Sequence, residues 1–155
     1  MKKSDILRTP VNQIDMERIQ TIDQLVTAFQ GSSIQSRNLG ICANVWERML
    51  TDKERPTIIL GLSGALIAGG MRKVIRDMIK YGLVDAIAST GAVMYQDFYQ
   101  SMGGQHYVGT QHADDSVLHK LKIDRIYDTY VDEDVFEKTD KYIGKMLEKK
   151  LKPGL

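Results

Sequence analysis

The stretch that decides the fold runs from Pro56 to Asp97 and reads PTIILGLSGALIAGGMRKVIRDMIKYGLVDAIASTGAVMYQD. It opens with an apolar run, Thr57 to Leu60, which is typical of a strand buried on both faces of a parallel sheet. A second strand-like run, Val84 to Ala88, lies near its end. The segment between the two runs has helical periodicity, so the stretch predicts a βαβ unit with two parallel strands.

The helix of this unit is amphipathic. Its apolar positions recur at helical spacing, at Leu66, Ile67, Met71, Val74, Ile75, Met78 and Ile79. The opposite face carries charged side chains, at Arg72, Lys73, Arg76, Asp77 and Lys80. Gly82 follows the last periodic position and is predicted to end the helix as its C-cap.

Two turns rich in small residues, Gly61 to Gly64 and Ser89 to Ala92, follow the two predicted strands. Ligands of such sheets bind beyond the carboxyl ends of the strands. Small residues let a phosphate approach backbone N–H groups, and a helix N-terminus favours an anion there. The spacing is neither GxGxxG nor a Walker motif. From the residues alone, a nucleotide site and a plain packing turn both remain open.

The remaining chain predicts helices and one more strand. Helices are expected over Asp15–Gln30, around Leu39–Leu50, over Asp115–Leu121 and over Asp132–Lys149, with a strand over Ile123–Tyr130. The predicted fold class is α/β, a Rossmann-like parallel sheet flanked by helices, with an N-terminal helical segment. We expect one domain over residues 1–155, made of an arm (1–12), the helical segment (13–52) and an α/β nucleotide-binding part (56–149).

Composition narrows the function classes. The 155 residues carry 21 basic and 20 acidic side chains, a net charge of +1, which argues against electrostatic capture of nucleic acid or membrane. Cys42 is the single cysteine and is typical of a reducing compartment. The sequence has no apolar run long enough to span a bilayer, and its first ten residues lack the apolar core of a signal peptide. A cytoplasmic protein is therefore expected.

Only one region has the residue types for a metal centre, where His106, His112, Asp114 and Asp115 lie close in sequence. The two histidines are six positions apart, a spacing that matches no short zinc motif, and no thiolate is near. The alternative is that Asp114 or Asp115 caps the following helix. No metal site is predicted.

Three blocks of the sequence, in this order, resemble the deoxyhypusine synthases and their bacterial deoxyhypusine-synthase-like relatives. They are SIQSRNLGICANVWERML at Ser33–Leu50, IILGLSGALIAGGMRKVIRDMIKYGLVDAIASTGA at Ile58–Ala92 and KIDRIYDTYVDED at Lys122–Asp134. The resemblance implies NAD-dependent oxidation of spermidine, capture of its aminobutyl group on a lysine, and transfer to an acceptor amine. In the synthases proper the acceptor is a lysine of a translation factor. The family also implies a homo-oligomer, with active sites between paired subunits.

Matched position by position, the resemblance assigns cofactor-binding residues to both turns. They are Gly64, Ala65, Leu66, Ile67 and Ala68 in the first, and Thr90, Gly91 and Ala92 in the second. The eukaryotic synthases place an acidic pair against the polyamine, and Tyr95 and Gln96 occupy the matching, substrate-binding positions here. Because neither residue is acidic, homospermidine-type transfer between polyamines is an alternative to protein modification.

The resemblance covers only the N-terminal half of the family. The lysine nucleophile lies in the other half, so no catalytic residue is predicted in this chain. We expect either a complementary C-terminal-half chain that supplies the lysine or, alternatively, a non-catalytic or regulatory subunit.

Overall fold

A computed structural model describes residues 2–150, with the side chain of residue 150 left out. Helices and strands alternate in its second half, as an α/β fold requires. The helices are α1 (Lys3–Ile6), α2 (Ile22–Gly31), α3 (Ile34–Thr51), α4 (Arg72–Lys80), α5 (Gly91–Ser101), α6 (Asp115–Lys120) and α7 (Glu133–Lys150). The strands are β1 (Ile59–Leu62), β2 (Ala86–Ser89), β3 (Tyr107–Val108), β4 (Ile123–Ile126) and β5 (Thr129–Asp132).

The chain divides into two compact units after Thr57. This boundary falls between the predicted helical segment, 13–52, and most of the predicted α/β part, 56–149. That residues 1–155 form a single domain stays a prediction.

The first unit contains α1, α2 and α3, and α2 packs against α3. A Cβ added at Gly40 of α3 would lie 2.6 Å from the backbone nitrogen of Gln30, so glycine permits the close approach of the two helices. The prediction of one helix over Asp15–Gln30 was wrong at its start. A 3-10 turn, Met16–Arg18, comes first, and α2 begins only after Thr21, whose hydroxyl accepts a hydrogen bond from the Gln24 amide at 3.2 Å.

In the second unit, β1 and β2 pair in parallel, as predicted. Leu62 is the partner of Ser89 at the end of the ladder, and α4 lies between the two strands in the sequence. The strands begin and end one to two residues later than predicted, and the residues just before them contact each other across the pair. The Ile58 amide, for example, donates to the Asp85 carboxylate at 2.8 Å.

One face of this parallel pair is open. The alternate residues Ile59, Gly61, Ala86 and Ala88 share that face and are exposed, Ile59 by 66%. The expectation that β1 is buried on both faces was therefore wrong for this chain. Because these residues are exposed, no described element of the second unit covers this side.

The strand predicted over Ile123–Tyr130 is two strands. β4 and β5 form an antiparallel hairpin, and β5 pairs with β3 on its other side, giving the order β3-β5-β4. The chain reverses at Tyr127, whose φ of 58° lies in the left-handed region. The described fold is thus α/β with a small parallel sheet, a separate antiparallel sheet and flanking helices.

The core of the second unit is centred on Tyr99 of α5, which is 0% exposed. Its ring stacks on Phe136 of α7 with centroids 4.6 Å apart, and Gly104 packs against the ring. Val131 and Thr139, each 1% exposed, are also buried in this unit.

No described helix is long and apolar enough to cross a membrane.

Candidate functional site

The two turns that the sequence singles out lie side by side. They follow Leu62 and Ser89, which are paired at the carboxyl ends of β1 and β2. The backbone amide of Thr90 donates to the carbonyl oxygen of Leu62 at 3.1 Å and ties the second turn to the end of the first strand. The parallel pairing therefore brings the predicted cofactor-binding segments to one edge of the sheet.

The first turn leaves open space above its backbone. Gly64 has a φ of 78°, a backbone conformation that residues with a side chain rarely adopt. Cβ atoms added at Gly61 or Gly64 would meet no atom within 4 Å. A ligand can therefore approach the main chain here more closely than it could past a larger residue.

The second turn opens α5. Thr90 is the N-cap residue, but its side chain makes no capping hydrogen bond. Thr90, Gly91 and Ala92 are all exposed, and a Cβ added at Gly91 would meet nothing within 4 Å. The first N–H groups of a helix have no partner inside it, and their partial positive charge attracts anions. This end of α5 is suited to a phosphate group.

Gln96 connects α5 to the segment that follows the first turn. It lies on α5, is 5% exposed, and its Oε1 accepts a hydrogen bond from the backbone amide of Ala68 at 3.3 Å. Ala68 belongs to a π-helical turn, Ile67–Met71, between the first turn and α4. The predicted single helix from Leu66 therefore begins with a π-helical turn, in which Gly70 adopts a φ of 86°. The C-cap of α4 is Tyr81 and not Gly82 as predicted; Gly82, with a φ of 64°, follows it.

An ion pair at the surface also links α4 to α5. The Arg72 Nε lies 2.6 Å from the Asp97 carboxylate, and Arg72 Nη2 donates to the Ser101 hydroxyl at 2.8 Å. Both charged side chains are partly exposed, so the pair contributes little stability, at most about 1 kcal/mol. It does join the beginning of α4 to α5.

The side chain of Tyr95 packs against α7. Its hydroxyl donates to the Phe136 carbonyl oxygen at 3.2 Å, and its ring stacks on the Phe136 ring at 5.1 Å. Burial is the main cause that raises the pKa of Tyr95 well above its ordinary value, and the nearby Asp140 carboxylate raises it further. The phenol therefore stays protonated. The substrate-binding role expected for Tyr95 and Gln96 stays a prediction.

The histidines and carboxylates of the metal-capable region have other partners. The Asp114 carboxylate accepts from the Ser116 amide at 2.8 Å and caps α6, which confirms one of the two predicted caps. Asp115 receives two hydrogen bonds from Arg125, at 2.8 and 3.0 Å, which hold the pKa of this carboxyl group below its ordinary value. Within residues 2–149, no group of three or more potential ligands is placed to hold a metal ion.

His106 gives the chain a predicted pH dependence. Its Nδ1 is 2.8 Å from the Gln100 side-chain amide, while its Nε2 is buried and has no partner among the described residues. Burial lowers the pKa of His106 from 6.5. Below pH 6.5 His106 is therefore protonated in the unfolded chain but still neutral in the folded chain. The free energy of unfolding decreases as the pH falls from 6.5 toward the lowered pKa.

We expect the free energy of unfolding to fall on acidification by less than about 1.4 kcal/mol per pH unit, the limit for one proton. Urea unfolding at several pH values between neutral and mildly acid measures this. His106→Phe should flatten the dependence, whereas replacement of the exposed His119 by glutamine should leave it unchanged. An equally steep dependence in His106→Phe would contradict the assignment to His106.

Comparison with known proteins fixes the family of the chain. The sequence model of deoxyhypusine synthase matches residues 24–153. The chain belongs to the deoxyhypusine synthase family. Both turns, and the helix that carries Gln96, lie inside the matched region.

Individual relatives agree with the family model. The chain is 39% identical to a deoxyhypusine synthase-like protein of Chlorobaculum parvum over 99% of its own length and 43% of the relative's. It is 40% identical to a protein of the same name in Coxiella burnetii, over 89% and 39% of the two chains. It is 34% identical to a probable deoxyhypusine synthase 2 of Methanosarcina mazei, over 90% and 40%. The chain thus spans about 40% of the length of these family members.

The sequence did not predict the contacts that join α5 to the π-helical turn and to α4. The hydrogen bond from Ala68 to Gln96 links residues 28 positions apart, and the ion pair from Arg72 to Asp97 links residues 25 apart. Neither residue pair belongs to a local motif. The available signal was a polar Gln96 amid the apolar positions Val93 and Tyr99 of α5, a pattern that indicates a buried polar side chain with a specific partner.

Proposed function

We propose that this chain supplies the NAD-binding part of a deoxyhypusine-synthase-like aminobutyl transferase. The observation that carries the proposal is the juxtaposition of two open, small-residue turns at the carboxyl ends of parallel strands, one of them at an uncapped helix N-terminus. The family membership makes NAD the preferred ligand among nucleotides. Gly64 to Ala68 and Thr90 to Ala92 would hold it.

The residues present fit a dinucleotide. The open space over Gly64 and Gly91 accommodates close approach of a pyrophosphate to the main chain. The exposed amides at the beginning of α5 would donate to its oxygens and offset its negative charge. NAD supplies hydride-accepting capacity when bound, and this chain's residues would bind and orient it.

The nucleophile would come from elsewhere. A lysine that forms an imine with a substrate must lose its proton near neutral pH, which requires burial or a neighbouring positive charge. Every lysine from Lys2 to Lys149 is exposed. For Lys122 the Asp134 carboxylate, 2.6 Å away, raises the pKa and keeps the ammonium group charged.

The open face of the parallel pair supports a complementary chain. Parallel sheets occur almost only with both faces covered by other elements. The face formed by Ile59, Gly61, Ala86 and Ala88 carries only small or apolar residues and is exposed. We propose that further strands and helices, from a C-terminal-half chain or from another copy in a homo-oligomer, complete a Rossmann-like sheet here. That assembly would act on spermidine or a related polyamine, with a translation-factor lysine as one acceptor.

A second candidate is a non-catalytic subunit that stabilises or regulates a full-length enzyme. The exposure of every lysine from residue 2 to residue 149 favours it as much as it favours a split enzyme. Transfer between polyamines, as in homospermidine synthesis, is a third candidate. It is favoured by the absence of acidic side chains at Tyr95 and Gln96.

Isolation of the native complex from its source organism separates a split enzyme from a non-catalytic subunit. A split enzyme is expected to reduce NAD in the presence of spermidine. A Gly91→Asp chain in the same complex should slow this roughly 10- to 100-fold at NAD concentrations well below the Kd, because it binds NAD more weakly. A non-catalytic subunit would leave the partner's NAD reduction unchanged with either chain. A complex that reduces NAD at an unchanged rate in the Gly91→Asp form would overturn the proposed function.

A further inference from the structure

Gln96 is a buried polar residue whose contact spans the candidate site. Only 5% of it is exposed, although glutamine is usually found at the surface. Burying an amide is unfavourable unless it is hydrogen-bonded. Its Oε1 meets this requirement by accepting from the Ala68 amide at 3.3 Å.

The Ala68 amide needs such a partner. Ala68 is the second residue of the π-helical turn Ile67–Met71, and the first N–H groups of a helix have no acceptor within it. A local N-cap side chain usually supplies the acceptor. Here the residue before the turn is Leu66, which makes no side-chain cap. Gln96, from a helix 28 residues along the chain, takes this role.

The turn that Gln96 holds is unusual in shape. The Met71 amide donates to the Leu66 carbonyl oxygen at 3.0 Å, the i to i−5 pattern of a π-helix, and Gly70 adopts a φ of 86°. π-Helical turns are rare and frequently mark functional sites. Without an external acceptor, an α-helical continuation from Leu66 into α4 would compete with this shape. That change would rotate the residues of the first turn relative to α5.

We propose that Gln96 is a positioning residue. It fixes the predicted cofactor-binding segment Gly64 to Ala68 against the N-terminal end of α5, so that this segment and the second turn contact one ligand. This inference rests on the proposed NAD site. It assigns Gln96 a role in the geometry of the cofactor site rather than in contact with the polyamine. The burial of Gln96 agrees with this role, because its side chain is enclosed by protein and its Oε1 is already engaged by Ala68.

The test combines hydrogen exchange at the Ala68 amide with NAD titration, on the chain alone and in its native complex. Gln96→Met removes the acceptor at similar size, and Gln96→Glu keeps an acceptor oxygen. We expect Gln96→Met to speed exchange at Ala68 and to raise the Kd for NAD, each about tenfold, from loss of one hydrogen bond. Gln96→Glu should restore the protection of Ala68. Gln111→Met, which removes an exposed amide outside α5 and both turns, should change neither quantity.

The outcomes separate the two proposals. Exchange at Ala68 that is unaffected in Gln96→Met overturns the positioning role, whether or not NAD binds. Faster exchange with an unchanged Kd for NAD overturns it as well. If the unmodified chain binds no NAD even in its complex while Ala68 depends on Gln96, the proposed function fails and Gln96 is shown to hold the turn only.

Discussion

Replacement of Tyr99 by alanine is expected to lower the free energy of unfolding by about 3–5 kcal/mol, the usual loss for a fully buried aromatic ring. Tyr99 is 0% exposed and stacks on Phe136 at 4.6 Å, with His106 against its edge at 5.4 Å. Truncation removes the ring from between α5 and α7 and leaves a cavity. Since whole domains are stable by only about 5–15 kcal/mol, this single change removes a large part of the total.

Urea unfolding followed by circular dichroism measures the loss, and Tyr99→Phe is the matched control. Phenylalanine keeps the ring and loses only the hydrogen bond from the hydroxyl to the Gln105 carbonyl oxygen, 3.2 Å long. We expect that variant to lose about 1 kcal/mol. Equal losses in the two variants would show that the hydrogen bond, and not the packed ring, carries the stabilisation. A loss in Tyr99→Ala below about 1 kcal/mol, no more than a single hydrogen bond is worth, would contradict the described core.

Gly91→Asp is expected to weaken NAD binding by roughly 10- to 100-fold without destabilising the fold. Gly91 is the first residue of α5, and a Cβ there meets no protein atom within 4 Å. A carboxylate at a helix N-terminus interacts favourably with the helix dipole and stabilises the helix by up to about 1 kcal/mol. The same charge would repel a pyrophosphate. Affinity and stability should therefore change in opposite directions.

An added carboxylate at Gly144 is the matched control. Gly144 is an exposed glycine of α7, and a Cβ added there would also meet no atom within 4 Å. Gly144→Asp should leave the Kd for NAD unchanged. Calorimetric titration measures the affinity and thermal unfolding the stability. Equal affinity of Gly91→Asp and the unmodified chain would contradict binding at this end of α5.

The βαβ unit could be predicted because its signals are local. The apolar spacing over α4, the glycine at position 82 and the small residues after each strand all follow from short-range rules, and β1 and β2 pair in parallel as expected. The predicted burial of β1 on both faces was wrong because burial depends on elements that the local sequence does not contain. Ile59 has the apolar character of a core residue and is 66% exposed.

The β4–β5 hairpin could not be predicted because the residue with positive φ in its turn is a tyrosine. Two-residue hairpin loops favour glycine, asparagine or aspartate where φ is positive, and Tyr127 takes that conformation here. Arg125 stabilises the turn by donating to the Tyr127 carbonyl oxygen at 2.8 Å, and Asp115 in turn holds the guanidinium. Asp115 lies ten residues from Arg125, so the residues of the turn and its two strands do not indicate this support. The pattern of α5 indicates that Gln96 is buried, but its partner Ala68, 28 residues away, could not be predicted for the same reason.

NAD is expected to bind across the two turns of this chain. Backbone amide chemical shifts recorded during a titration with NAD test it most directly. We expect saturable changes at Gly64 to Ala68 and at Thr90 to Ala92, with smaller changes elsewhere. Saturable binding whose shifts cluster away from both turns, or no binding by the chain alone and in its native complex, would contradict it.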